Sequence, residues 1–359
     1  MSSTLKTVAY YLGQYHPIPE NDQFWGPGFT EWHNVARARS LYPGHIQPVL
    51  PGRLGFYDLR FEETLLAQIE YAQEIGIDAF CFWHYWFAGR RLLHRPLDAM
   101  LKLGQADFRF MLGWANESWS GVWHGAVDRI LVEQSYNASE VERHAELIAD
   151  YIATGRYLEI DGQFPFVIYK PRQIPEAQGY LATLRHSVQK LSGARLLLIG
   201  NWSPGWRAEF SDPASLGLDA AVVTPVAAYY GHRLLDGSNR LLWKWLRDIG
   251  VGPEVRSYTQ VTATLERGIR AVRGESHATI VTGWDNTPRS GRRGLVLTGY
   301  NEHSLEFAAM RAIAIEKRNS TPILFVKSWN EWAEGNVVEP IFGERWSVGS
   351  TLKKVLCLS

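Results

Sequence analysis

Cysteine is nearly missing from this chain: two in 359 residues, Cys81 and Cys357, far apart in sequence. Cys81 lies in an apolar run and reads as a small packed hydrophobe, so neither a disulfide framework nor a cysteine-based zinc site is available. Excess charge is missing too. Lys plus Arg and Asp plus Glu number 37 each, which leaves no bulk electrostatic reason to expect nucleic acid or an anionic membrane as partner. No stretch offers the roughly 18 consecutive apolar residues of a membrane span. The opening MSSTLKTVAYYLGQYHP carries one lysine and an apolar stretch too short for a signal peptide. Also lacking are a glycine-rich phosphate loop after any strand-like run, a clear D-x-D metal site, a paired-histidine ligand set, and any Pro/Gly/Ser-rich linker. The expectation is a single domain over residues 1–359, soluble and cytoplasmic, with no cofactor, no metal and no integral membrane segment. Peripheral association with a membrane-bound assembly would leave no trace in these features.

What the chain has in quantity is strand-like runs. They are KTVAYYL (6–12), IDAFCFWHYW (77–86), FRFMLGWAN (108–116), FPFVIY (164–169), RLLLIGNW (195–202), LDAAVVTP (218–225), HATIVTGWDN (277–286) and ILFVKSWN (323–330). Several are continuously apolar, as strands covered on both faces should be. Amphipathic segments lie between them, among them 61–76, 139–153 and 302–318; the last begins acidic and ends basic, in keeping with the helix dipole. Eight strands alternating with helices predict an α/β fold of the parallel (β/α)8 TIM-barrel type. Enlarged loops are expected after strands 1, 3 and 6, over residues 13–60, 114–138 and 226–276. A doubly wound open sheet is the rival, and the missing nucleotide loop counts against it.

The run SWNEWAEG (328–335) carries most of the functional information. It sets Glu331 and Glu334 three residues apart among Trp329 and Trp332. Two acids beside flat apolar rings suit glycosidic-bond chemistry, which needs a proton donor, a base or nucleophile, and a stacking surface. In a barrel the catalytic face is built from the loops after the strands, and informative residues fall there. Strand 1 leads to His16 and then Trp32. Strand 2 ends in His84, Tyr85 and Trp86, and strand 3 in Trp114, Asn116 and Glu117. Tyr169 follows strand 4, Trp202 ends strand 5, and Trp284 and Asp285 end strand 7. Strand 8 supplies Trp329, Asn330 and Trp332, with Glu339 beyond. Of fifteen tryptophans, all but Trp243, Trp245 and Trp346 sit at or just after a proposed strand end. Each piece also has a plain structural reading: strand-end tryptophans serve barrel packing, His84 fits a satisfied core histidine, and His16 fits a turn cap. Asp285 fits an anchor for the loop TPRSGRRG (287–294), whose basic residues fit a solvated surface.

Spacing constrains the glutamate pair. Residues i and i+3 point to opposite faces of a strand but lie side by side on a helical turn, about 5–6 Å apart at Cβ. Cooperation therefore requires the chain to turn at Trp332–Ala333, with Gly335 giving freedom for the exit. Close carboxylates suit a retaining outcome, for which roughly 5–5.5 Å is expected.

The stretches YYLGQYHPIPENDQFWGPGFTEWHNVARA (10–38), GFYDLR (55–60), GIDAFCFWHYWFAGRRLLHRPLD (76–98), LGWANESW (112–119), GWDNTPR (283–289) and SWNEWAEGNVVEP (328–340) resemble the WbsX-type proteins of lipopolysaccharide biosynthesis, a group similar to the glycoside hydrolase family 99 barrels. The resemblance covers nearly the whole chain. In family 99 the matching E-x-x-E motif supplies both catalytic acids of a retaining endo-α-mannosidase. By that resemblance Glu331 is the base that deprotonates the sugar 2-hydroxyl, giving a 1,2-anhydro intermediate, and Glu334 is the acid/base at the leaving oxygen. Ala333 stands where the hydrolases carry histidine. The implied substrate is an α-manno-configured sugar (mannose or rhamnose) in an oligosaccharide or bacterial surface polysaccharide, cleaved or transferred. The alternatives are a glycosyltransferase of lipopolysaccharide O-antigen biosynthesis and, in another class, a non-catalytic glycan-binding barrel. A second mechanism on the same barrel pairs Glu117 as acid with Glu331 as nucleophile.

Overall fold

The computed structural model describes residues 4–103, 107–120, 130–202, 211–226 and 252–358. Eight strands alternate with helices: β1 (Lys6–Tyr11), β2 (Ala79–Phe87), β3 (Arg109–Trp114), β4 (Gln163–Ile168), β5 (Arg195–Trp202), β6 (Ala220–Val223), β7 (Glu275–Val281) and β8 (Ile323–Lys327). Each pairs in parallel with its neighbour in the order β1-β8-β7-β6-β5-β4-β3-β2, and β2 returns to β1 through Val8↔Ala79 and its successors. The sheet is a closed (β/α)8 barrel, which leaves no exposed edge among these strands.

The strands are nearly continuous runs of buried residues because the barrel interior covers one face and helices the other. The longer helices among the described residues are α1 (Glu62–Glu74), α2 (Arg95–Lys102), α3 (Ala138–Ala153), α4 (Ala177–Ser192), α5 (Thr264–Ala271), α6 (Glu302–Glu316) and α7 (Val348–Leu356). Their starts follow local rules: Asn137 caps α3 by accepting from the Glu140 N–H, and Asn301 with Ser304 forms a capping box on α6. Glu316 ties α6 to the barrel by accepting from the backbone N–H groups of Ala278 and Ile323. None of the described helices is long and apolar enough to cross a membrane.

Strand ends differ from expectation where side chains capture the backbone. β7 stops at Val281, and Gly283 at φ +86° turns the chain away. β8 stops at Lys327, short of the run to Asn330 that apolarity suggested. The loop after β1 holds two short helices, Pro19–Trp25 and Trp32–Arg37; the loop after β3 holds the antiparallel pair Trp119–Ser120 and Ile130–Val132. Of the expected long loop 226–276, residues 227–251, with Trp243 and Trp245, lie outside the described residues. Its later part forms the strand Glu254–Ser257, paired in parallel with Leu295–Thr298.

Candidate active site

Beyond β8 the chain makes a small hairpin rather than a straight extension. Asn330 and Glu331 pair antiparallel with Val337 and Asn336. Between them Trp332–Glu334 forms one 3-10 turn, closed by Gly335 at φ +64°. A Cβ at Gly335 would lie 2.8 Å from the Asp285 nitrogen, so only glycine fits both the angle and the space. The turn brings both glutamate side chains to one side, as the spacing argument requires.

Buried polar groups fix this hairpin from behind. The Asn330 side chain accepts from the Leu12 N–H at 2.8 Å and donates to the Leu12 carbonyl at 3.0 Å, joining the loops after β8 and β1. The Tyr15 hydroxyl donates to the Asn330 carbonyl at 2.6 Å and accepts from the Trp332 N–H at 3.1 Å. Trp332 Nε1 donates to Glu339 at 2.7 Å, and Glu339 also accepts from Tyr57 and Gln68. Burial pushes the Glu339 carboxyl up to about 7, against the pull of those donors. The Glu334 carbonyl accepts from the Asp285 N–H at 2.7 Å.

Asp285 then organises the facing segment. Its Oδ1 accepts from the backbone N–H and hydroxyl of Thr287, and its Oδ2 meets His45 and Gln47. That fixes the short helix Thr287–Ser290, which aims Arg289 at the glutamates. Arg289 Nη1 donates to Glu334 at 2.7 Å, Nη2 to Glu331 at 2.7 Å, and Nε to Glu31 at 3.1 Å. Glu31 comes from the start of the helix Trp32–Arg37. Burial works against the guanidinium charge, but Glu31, Glu334 and Glu331 outweigh it and hold the Arg289 pKa well above its ordinary value. Burial, opposed by Arg289 and reinforced by Glu334, holds the Glu331 carboxyl above the ordinary glutamate range.

These groups line a cavity of about 250 Å³ at the C-terminal end of the strands. Four carboxylates face it (Glu31, Glu117, Glu331 and Glu334) against two cations, Arg289 and Lys327. Its aromatic wall comes from Trp25, Trp83, Tyr85, Phe87, Trp119 and Tyr169. Tyr85 stacks with Trp119 at 5.8 Å between ring centres, and Trp83 meets Tyr169 edge to face at 5.4 Å.

The structure thus brings Glu331, Glu334, Tyr85, Glu117 and Tyr169 to one cavity. It puts the other expected contacts elsewhere. Strand alternation sends Trp83, Tyr85 and Phe87 inward and His84 and Trp86 outward, toward α3. There His84, Trp86 and Trp114 pack around His144, with His84 Nε2 3.1 Å from His144 Nε2. Asn116 ties Tyr136 to the backbone of Lys170. Trp202 and Trp284 are buried, Trp284 under the Lys327 ammonium. His16 is buried beside Asp58, Arg60 and Arg95, where burial lowers its pKa to about 4. Trp329 packs on Phe80 and Tyr71. Trp32 packs on Trp332 and Tyr15, so Trp32, Asn330, Trp332, Asp285 and Glu339 stand behind the cavity wall as its frame. Arg289, expected with the other basic residues of 287–294 on a solvated surface, is instead mostly buried, its side chain 11% exposed. Glu31, Trp83 and Arg289 were legible only in part: Glu31 and Arg289 fall in the GFTEWHN and GWDNTPR stretches, and Trp83 is in phase with Tyr85 on β2.

The barrel as a whole is similar to a solved GH99 endo-alpha-mannosidase from Bacteroides thetaiotaomicron, at TM-score 0.60 and 16% identity over 99% of this chain and 97% of that one. A solved glycoside hydrolase-like protein matches at TM-score 0.56 and 13% identity, covering 98% and 92%. At such identities the likeness is one of fold. In sequence the chain is 35% identical to WxcX, an uncharacterized protein of Xanthomonas campestris pv. campestris, over 93% of this chain and 47% of that protein. The same figures hold for WxcX of a second strain, so the chain spans about half the length of the curated relatives it matches. The profile described as Glycosyltransferase WbsX matches residues 7–346, and the chain belongs to that family.

Proposed function

We infer that this chain is a carbohydrate-active enzyme that breaks or transfers glycosidic bonds with retention, using Glu331 and Glu334, on an α-manno-configured glycan. One observation carries the reading: two carboxylates, one on the residue that precedes a 3-10 turn and one on its last residue, converge on one guanidinium inside an aromatic-walled cavity. A sugar ring would stack on the aromatic wall while the acids flank its anomeric centre. Burial strengthens Glu331 as a base, and Arg289 keeps it ionised, which is the state needed to take the proton of the sugar 2-hydroxyl. The O2 so freed attacks C1 to close the 1,2-anhydro ring while Glu334 gives its proton to the departing oxygen. In the return step Glu334 takes a proton from the incoming water or sugar, whose oxygen opens the ring at C1, and Glu331 returns its proton to O2. Glu334 must be protonated for the first step, so Arg289 has to loosen its bond to Glu334 when substrate enters. Its bonds to Glu331 and Glu31 hold it meanwhile.

The supporting electrostatics favour an uncharged ring in the cavity, since carboxylates outnumber cations on its wall. The family description favours a second reading, a nucleotide-sugar-dependent glycosyltransferase acting in O-antigen assembly. Calorimetric titration with a panel of sugar nucleotides separates the two, because the retaining enzyme ignores them and the transferase binds at least one. A screen of α-manno-configured oligosaccharides and bacterial polysaccharides for reducing-end release, with Glu334→Gln as blank, tests the favoured reading. Release by the parent alone supports it; binding of a sugar nucleotide with no release from any glycan overturns it.

A further inference from the structure

The two cations that line the catalytic cavity are held in opposite ways. Arg289 spends Nε, Nη1 and Nη2 on three carboxylates. Lys327, the last residue of β8, spends no donor: among the described residues its ammonium makes no hydrogen bond and no ion pair. What holds it is the ring face of Trp284, whose centre lies 5.4 Å from Nζ. A cation–π contact steadies the charge without consuming its N–H donors. The backbone beneath is fixed as well, since the Lys327 carbonyl accepts from the N–H and the hydroxyl of Thr282, each at 3.0 Å. Lys327 is therefore a placed, half-buried ammonium with its donors unspent, in the cavity where both glutamates stand.

Glu331 borders that cavity four residues further along the chain. No ion pair joins the two residues, yet they feel each other: burial raises the Glu331 carboxyl, and Arg289 and then Lys327 pull against it. The neighbourhood bears on the proposed chemistry. A carboxylate is a far weaker base than an alkoxide, and Arg289 weakens this one further. Taking the proton of a sugar 2-hydroxyl is therefore steeply uphill unless a fixed donor meets the charge that grows on O2.

We propose that Lys327 is a catalytic residue, whose ammonium donates a hydrogen bond to O2 of the bound sugar and stabilises the charge on that oxygen while Glu331 removes its proton. The inference rests on the retaining reading above and supplies a donor at O2. Glu331 takes the O2 proton, the electron pair on O2 closes on C1, the bond from C1 to the leaving oxygen breaks, and Glu334 gives its proton to that oxygen. Lys327 keeps its own protons throughout.

The test uses the full chain. Lys327→Met removes the charge and keeps a stem of similar length on Trp284, Lys327→Gln keeps a neutral donor, and Lys190→Met on the exposed face of α4 is the control. Turnover is measured on a glycan that the parent cleaves in the screen above. Binding is titrated calorimetrically in the Glu334→Gln background, with α-mannobiose or α-rhamnobiose, whichever the parent binds, and with its counterpart lacking the 2-hydroxyl. Melting curves show which variants fold. The expected result for Lys327→Met is a fall in kcat of about 10²–10³-fold. Binding of the 2-hydroxyl probe should weaken by roughly tenfold, and binding of the 2-deoxy probe should not change. Lys327→Gln should lie between parent and Lys327→Met, and it carries the test if Lys327→Met does not fold; Lys190→Met should match the parent. A merely structural lysine would weaken both probes alike. Turnover by a folded Lys327 variant within a few-fold of the parent's, or the same effect on both probes, overturns the assignment and leaves the retaining reading standing. If the parent cleaves no glycan and binds neither disaccharide, that reading falls and the role of Lys327 falls with it.

Discussion

Replacing Arg289 with methionine removes the guanidinium that Glu31, Glu331 and Glu334 share, and leaves three carboxylates facing one another out of water. The side chains concerned are 11% exposed for Arg289 and 3%, 7% and 9% exposed for the three glutamates, so solvent screening gives little relief. Breaking a buried ion pair by deleting one partner costs about 3–5 kcal/mol. Over 359 residues, at about 2.1 cal/mol/K of unfolding entropy per residue, that lowers the melting temperature by roughly 4–7 °C. The loss must depend on pH. Burial and Glu334 already hold the Glu331 carboxyl above the ordinary range, near 4.3 in the unfolded chain, and removing the guanidinium that opposes them raises it further. A group raised in this way contributes stability below its unfolded pKa and loses it as pH rises through the folded one. The deficit of the variant relative to the parent should therefore be largest near pH 8 and shrink toward pH 4.5. Melting curves by circular dichroism at pH 4.5, 6 and 8 measure it. Arg289→Lys keeps the charge but not the three-way fork, and should recover only part of the loss. An equal deficit at all three pH values, or none at pH 8, would refute the shared-cation account.

Three further outcomes follow from single residues. Gly335→Ala incurs about 1–2 kcal/mol for the left-handed angle, and its Cβ, 2.8 Å from the Asp285 nitrogen, displaces the turn; turnover should drop at least tenfold while the fold survives, as paired kinetic and melting measurements will show. Glu339 has a folded pKa raised to about 7, so its contribution is present below about pH 4.3 and is lost as pH rises through 7. Glu339→Gln should remove that slope, a change on the order of 3 kcal/mol in parent-minus-variant stability between pH 4.5 and 8 by urea denaturation, and a flat difference would contradict it. His16, lowered to about 4 by burial, contributes stability above its unfolded pKa near 6.5 that is lost as pH falls through 4. His16→Asn should accordingly flatten the acid limb of the stability profile between pH 6.5 and 4.

The barrel was legible because its strands, covered on both faces, leave uninterrupted apolar runs; β5 matches its expected span, Arg195–Trp202. The ends of β7 and β8 were not, because an apolar run does not show where side chains such as Asn330 capture backbone groups from a loop some 300 positions away in sequence, here at a separation of 318. The Glu331–Glu334 turn could be foreseen, since three-residue spacing admits only one way for the pair to share a side. Which strand-end aromatics face the cavity was foreseeable in principle from phase along β2, which separates Trp83 and Tyr85 from His84 and Trp86. Arg289 was hidden by its context. In the sequence it is one of three arginines in a polar loop, and only Asp285's hold on Thr287 singles it out for burial.

In the proposed reaction Glu331 and Glu334 act on the sugar rather than merely shape its cavity. On a glycan that the parent cleaves, turnover and dissociation constants of Glu331→Gln and Glu334→Gln test it directly, alongside the anomeric form of the first product seen by NMR. Each variant should lose turnover by about 10²–10⁴-fold or more and keep glycan binding within a few-fold, and the parent's product should retain configuration. Substantial turnover by either variant, or inversion in the parent, would contradict it.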